Sequence, residues 1–242
     1  MIVIVASMEQ TKMRPIRVKI CGIRNLGEAR MAVSLGADAL GFLCGLSYRT
    51  EDELDLQTAQ RIISKAPPFV STVLVTHQTD LDWVVRACRQ SGCSTVQLHG
   101  DFALEQIPEL RTMIPNVRII KAVSVVDESA IKFATAAAEQ ADAIILDSRT
   151  ATRIGGTGHT HDWTISARIV KAVAKPVILA GGLNPENVAK AIDLVQPFAV
   201  DVNSGVEFPD GSKSPQKVGY FVRLAKNGAA EASPRTELMA GH

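Results

Sequence analysis

Between residues 17 and 226 one alternation recurs eight times: a short run rich in Val, Ile and Leu, then roughly a dozen residues with helical periodicity. The strand runs are RVKICGI (17–23), ADALGFLC (37–44), STVLVT (71–76), STVQLHG (94–100), VRIIKAVSV (117–125), DAIILDS (142–148), PVILAGG (176–182) and FAVDVNSG (198–205). Helical segments fall at 25–35, 55–66, 80–91, 103–113, 127–140, 163–174, 185–195 and 214–226. Asn184 before Pro185, Asp80 and Ser214 read as helix N-caps, and Gly36 and Gly92 sit where helices stop. Each strand-to-strand connection is long enough for a crossover, so the strands are parallel. Eight such units predict an α/β fold closed as a (β/α)8 TIM barrel, in preference to a doubly wound open sheet. The barrel occupies 17–226 as a single domain, with 1–16 an N-terminal extension and 227–242 a polar, flexible C-terminal tail.

Composition narrows the partners. The formal net charge is +1 and the basic residues are scattered, which argues against nucleic acid. The opening MIVIVASMEQ lacks the basic flank and apolar length of a signal peptide or span, so no membrane association is expected. Cys21, Cys44, Cys88 and Cys93 show neither Cys-x-x-Cys spacing nor a zinc-like pairing with His. They read as reduced thiols of a cytoplasmic protein without a metal. Monomer and homodimer fit the sequence equally.

Strand alternation separates an aliphatic face, suited to the helix layer, from a second face that gathers Lys19, Cys21, Gln97, His99, Lys121, Asp147, Asp201 and Asn203. Most lie toward the C-terminal ends of their strands, where barrel active sites form. Buried charges need partners or a wet pocket, so a set of this kind predicts a site. Cys21 is open to two readings, an inert core thiol or an acid–base group facing Asp147. Lys19 and Lys121 would favour its thiolate, and burial would oppose it. His77 is placed to line the mouth or to serve structure; His159 and His161 read as loop or capping residues, Trp163 as an anchor for its helix, and the other cysteines as packing.

Glycine clusters follow the late strands: IGGTG (154–158), AGGL (180–183) and NSG (203–205). Glycine admits left-handed backbone and lets amides approach an anion. Loops after strands seven and eight are the usual phosphate site of this architecture. A phosphorylated small molecule is the expected ligand.

Together VKICGIRN, GADALGF, VQLHGD, IIKAV, ILDS, GGTGHTHDW, LAGGLNPENV and DVNSGVE resemble the phosphoribosylanthranilate isomerase family of tryptophan biosynthesis, a ribulose-phosphate-binding type of barrel. The resemblance implies an Amadori rearrangement of N-(5-phosphoribosyl)anthranilate to 1-(2-carboxyphenylamino)-1-deoxyribulose 5-phosphate, with no cofactor. Asp147 matches the family's general acid and Cys21 its general base. Gly181, Gly182, Asn203, Ser204 and Gly205 match the phosphate loops, shaped further by Gly156 and Gly158, while Lys19, Gln97, His99 and Asp201 are further candidates for substrate contact. The family commonly reads Ser-Pro-Arg after its second strand, with the arginine on the anthranilate carboxylate. Here Arg49 falls one place early, open to two readings, a substrate contact on that carboxylate or a solvated loop arginine, and DVNSG replaces the commoner DVSSG. An isomerase acting on another phosphorylated amino-sugar or ketose, and a silent sugar-phosphate-binding barrel, are the alternatives; simple binding needs neither Cys21 nor Asp147.

Overall fold

The computed structural model describes residues 16–48, 50–150, 153–154 and 160–227. Eight parallel strands, β1 (Arg17–Ile20), β2 (Ala39–Leu43), β3 (Ser71–Thr76), β4 (Thr95–Leu98), β5 (Arg118–Ser124), β6 (Ala143–Asp147), β7 (Val177–Leu179) and β8 (Ala199–Val202), pair in sequence order. Pairing of β8 with β1 closes the ring, which excludes the open sheet. Helices α1 (Leu26–Ser34), α2 (Leu56–Ile63), α3 (Leu81–Ser91), α4 (Ile107–Met113), α5 (Ser129–Gln140), α6 (Trp163–Ala172), α7 (Val188–Val195) and α8 (Pro215–Asn227) follow the strands in turn. A small antiparallel ladder, Arg149–Thr150 with Arg153–Ile154, lies between β6 and α6.

Local chemistry sets most helix ends. Asp80 accepts the amides of Asp82 and Trp83 to start α3, and Gly92, at φ +69°, ends it in the left-handed conformation. Asn25 accepts the Glu28 amide at the start of α1, and Glu28 reaches back to the Arg24 amide at 2.8 Å. Ser214 accepts the Lys217 amide ahead of Pro215. Two starts differ from the sequence reading. The segment expected at 103–113 opens as a 3₁₀ turn, Leu104–Gln106, before α4. Asn184 caps a turn through the amides of Glu186 and Asn187, and regular α7 begins only at Val188.

Period-two burial on closed strands makes two apolar layers. The larger lies between strands and helices and includes Val18, Ile20, Leu98, Ile144 and Leu146. The smaller fills the lumen with Cys21, Leu43, Val73, Val75, Ile120, Ala122, Ile145 and Ile178. Because Ile120 and Ala122 point inward, Lys121 points outward, contrary to its expected place beside Cys21. Its ammonium donates to the Gly100 carbonyl at 2.8 Å and lies 5.8 Å from the Phe133 ring centroid on α5. Burial pushes its pKa down to about 8. A polar residue in a strand does not have to face the lumen when a long stem can carry its charge to a carbonyl of the loop after the neighbouring strand. Cys44, Cys88 and Cys93 pack in the outer layer, as expected.

Candidate active site

The barrel ladder itself places the central ion pair. Lys19 on β1 is the register partner of Asp201 on β8, and its ammonium donates to Asp201 Oδ2 at 2.9 Å. Both side chains are buried. Burial works against the Lys19 ammonium, yet the charges of Asp201 and Cys21 outweigh it and raise its pKa.

Above this pair a pocket opens at the C-terminal ends of the strands. Its walls include Cys21 just past β1, Gln97 on β4 and His99 just past it, Asp147 at the end of β6, and Asp201 on β8 with Asn203 just past it. Cys21 and Asp147 thus share one cavity, approached from strands well apart in the ring. Lys19 lies below it and lines a second, lower cavity at the other end of the barrel. Arg49, Gly156, Gly158 and His159 lie outside the described residues.

The two acid–base candidates titrate far apart. Burial pushes the Cys21 thiol up to about 11, against the pull of the Lys19 and Lys213 ammoniums. Burial also pushes the Asp147 carboxyl up to about 7, with the Ser148 amide (2.8 Å from Asp147 Oδ1) and Lys19 opposing and Asp201 adding to it. A carboxyl with that pKa holds a proton near neutrality and can donate it.

One end of the pocket is built from backbone. Gly181 and Gly182 have φ of +81° and +68°, and Ser204–Val206 forms a single 3₁₀ turn. A Cβ on Gly205 would lie 2.0 Å from the Leu183 carbonyl oxygen, so the loops after β7 and β8 touch backbone to backbone only with glycine there. Among the described residues the amides of Gly182, Ser204 and Gly205 have no intramolecular acceptor. A cup of free amides suits an anion with several oxygens.

The opposite end is apolar and imidazole-rich: Leu43, Leu46, Tyr48, Val75, His77 and His99. The Ser47 amide donates to His77 Nδ1 at 3.3 Å, so that nitrogen is unprotonated. The His77 ring lies 5.3 Å from Tyr48 and 5.5 Å from His99, centroid to centroid. Burial lowers the pKa of both imidazoles, far more for His99. Two buried polar ends on residues lining this pocket are left without partners among the described residues: Asp201 Oδ1, and the end of the Gln97 amide opposite the one that meets His99 Nε2 at 2.5 Å. Groups of this kind call for a hydroxyl-bearing ligand.

Sequence reading missed Lys213. Its fully buried ammonium binds Asn203 Oδ1 and Glu207 Oε1 beneath the β8 loop. Asn203 in turn donates to Asp52 at 3.2 Å. A lone lysine in a polar loop carries no local signal of burial. Ser148 and the bridging role of His161 were missed for the same reason. No cluster of three or more His, Cys, Asp or Glu side chains among the described residues has metal-ligating geometry.

Residues 18–224 match the family model described as N-(5'phosphoribosyl)anthranilate (PRA) isomerase. The chain belongs to the phosphoribosylanthranilate isomerase family. It is 42% identical over 214 residues to N-(5'-phosphoribosyl)anthranilate isomerase 2 of Methanosarcina mazei, an alignment covering 88% of this chain and 95% of that protein. The crystal structure of the Thermotoga maritima phosphoribosyl anthranilate isomerase is similar at 37% identity and a TM-score of 0.75, over 87% of this chain and 98% of that one. A solved isomerase in complex with reduced 1-(o-carboxyphenylamino)-1-deoxyribulose 5-phosphate is similar at 35% identity and a TM-score of 0.72, with the same coverages. No helix among the described residues is long and apolar enough to cross a membrane.

Proposed function

We propose that this chain is a phosphoribosylanthranilate isomerase, converting N-(5-phosphoribosyl)anthranilate to 1-(2-carboxyphenylamino)-1-deoxyribulose 5-phosphate. The observation that carries this reading is the shared pocket: a thiol from β1 and a carboxyl from β6 border one cavity that ends in free amides after β7 and β8.

The phosphate seats on the amides of Gly182, Ser204 and Gly205. The anthranilate ring lies toward Leu46, Tyr48 and His77, and ribose hydroxyls satisfy Asp201 Oδ1 and the open end of the Gln97 amide. Asp147 gives its proton to the ring oxygen as the C1–O bond breaks and the anilino nitrogen forms a C1=N Schiff base. The Cys21 thiolate then takes the C2 proton, and the electrons of that bond form the C1=C2 enolamine while nitrogen recovers its lone pair. Tautomerisation places a ketone at C2 and a methylene at C1. Lys19 stabilises the thiolate electrostatically and is itself held by Asp201.

The test follows the loss of substrate fluorescence, with phosphoribosylanthranilate made in situ. Turnover by the wild type that collapses in Cys21→Ser and Asp147→Asn, with folding and phosphate affinity retained, is the expected result. Turnover unchanged by both replacements would reject the assigned roles.

A further inference from the structure

Asp147 ends β6, and the chain must leave the barrel at the next residue. That residue, Ser148, is buried and wedged against the β7 loop, where a Cβ on Gly181 would lie 2.3 Å from its hydroxyl oxygen and 2.6 Å from its amide nitrogen. The Ser148 amide donates to Asp147 Oδ1 at 2.8 Å. Its hydroxyl meets His161 Nδ1 at 3.0 Å, and His161 Nε2 meets the hydroxyl of Ser166 on α6 at 2.6 Å. Ser166 is fully buried.

Both nitrogens of His161 are therefore engaged. A neutral imidazole satisfies two hydroxyls by donating with one nitrogen and accepting with the other. Burial keeps it neutral, pushing its pKa down to about 4 against the pull of Asp162. Capping cannot account for the ring, because Asp162 already accepts the Thr164 amide at the start of α6. Nor does His161 line the pocket. It is a flat, stiff strut between the strand end that bears the carboxyl and a buried hydroxyl of the next helix.

We propose that His161 is a positioning residue, which through Ser148 holds the Asp147 carboxyl in the orientation that delivers its proton. The proposal rests on the function proposed above. With the strut lost, the Ser148 peptide can rotate, and its amide bond to Asp147 weakens. That bond favours the ionised carboxylate, so weakening it moves the titration of Asp147 upward, with Asp201 and Lys19 as the facing charges and Cys21 across the cavity. Phosphate binding, made elsewhere by backbone, is left alone.

The test compares His161→Phe, which keeps an aromatic ring but neither hydrogen bond, with His161→Asn, Ser148→Ala and the Phe/Ala double variant. Steady-state turnover and the carbon-13 NMR titration of the Asp147 carboxyl are read in parallel. His161→Phe is expected to lower kcat about tenfold with KM held within about twofold. It is also expected to raise the Asp147 midpoint by roughly half a unit or more. Ser148→Ala should show a similar loss, the double variant no further loss, and His161→Asn a recovery of most of kcat. Wild-type kcat and an unmoved midpoint in His161→Phe would overturn the proposal, as would losses that multiply in the double variant. If His161→Phe does not fold, Ser166→Ala, which frees the far end of the strut, is held to the same criteria. A wild type that never turns over phosphoribosylanthranilate would refute the proposed function, and the NMR midpoint alone would then decide whether His161 holds Asp147.

Discussion

Cys21 and Asp147 rest in the protonation states opposite to those the reaction uses. Between about 7 and about 11 the stable pair is carboxylate with thiol, whereas the proposed chemistry needs carboxylic acid with thiolate. Raising the pH through that window trades one requirement against the other, and the working fraction stays level. Below about 7 Asp147 is already protonated, so only thiolate is lost, about tenfold per pH unit. A log plot of kcat/KM against pH should therefore climb to a plateau that starts near 7, and a maximum near pH 5 would contradict the assignment. Stability carries the same signature. The native Asp147 carboxyl titrates near 7, above its ordinary value of 3.8, so folding retains a proton that the unfolded chain releases between those values. The group's favourable contribution is full below 3.8 and is lost as the pH rises through 7. Asp147→Asn removes that penalty, so its melting temperature should exceed the wild type's at pH 8 and converge with it toward pH 4, as thermal unfolding would show. At this scale Cys21, Asp147, Gln97, His99 and Asp201 were readable because strand alternation and the motif around each agree. Lys121 was not, since polarity alone does not say which face of a strand turns outward.

Loops carry the binding half of the site, and their packing leaves little slack. In Gly205→Ala the new methyl would meet the Leu183 carbonyl, a backbone atom that cannot swing aside. The β7 and β8 loops would have to part, opening the amide cup. We expect KM for phosphoribosylanthranilate to rise about tenfold or more, with a lower melting temperature; steady-state kinetics and a thermal scan check both. Lys213 knits the β8 loop to Glu207 and Asn203, and Asn203 extends the network to Asp52 before α2. Lys213→Met removes a fully buried ammonium and leaves half-buried Glu207 without its cation. Urea unfolding should show a loss below the roughly 3–5 kcal/mol of a fully buried pair, with much of it restored in the Lys213→Met/Glu207→Leu pair. Gly181 and Gly182 were legible because left-handed backbone has few other solutions, and Gly205 because a close backbone approach leaves no room for a Cβ. The ionic network was not, because its members lie in segments that are distant in sequence and meet only once the barrel closes.

Closure is a property of the whole ring, and its seam is where β1 meets β8. Behind that seam α8 lies across α1 and β1, with Leu35 against Gly219 and Val222 against Gly36. Asp38 Oδ2 accepts the Val18 amide at 2.8 Å and lies 2.9 Å from the Lys226 ammonium, so the last turn of α8 is pinned to the start of the first strand. Eight repeats of one pattern announced the ring, while the pin could not be read, since it joins residues 188 positions apart. The family match likewise ends at 224, inside α8. A chain cut to residues 16–227 is therefore expected to keep its melting temperature within about 3 °C and kcat/KM within about twofold. A chain that stops at 214 loses α8, bares the outer face of β1 and removes Lys226 from Asp38. It should show no cooperative unfolding transition in a calorimetric scan, and a sharp transition in that shorter chain would mean that the seam closes without the helix behind it.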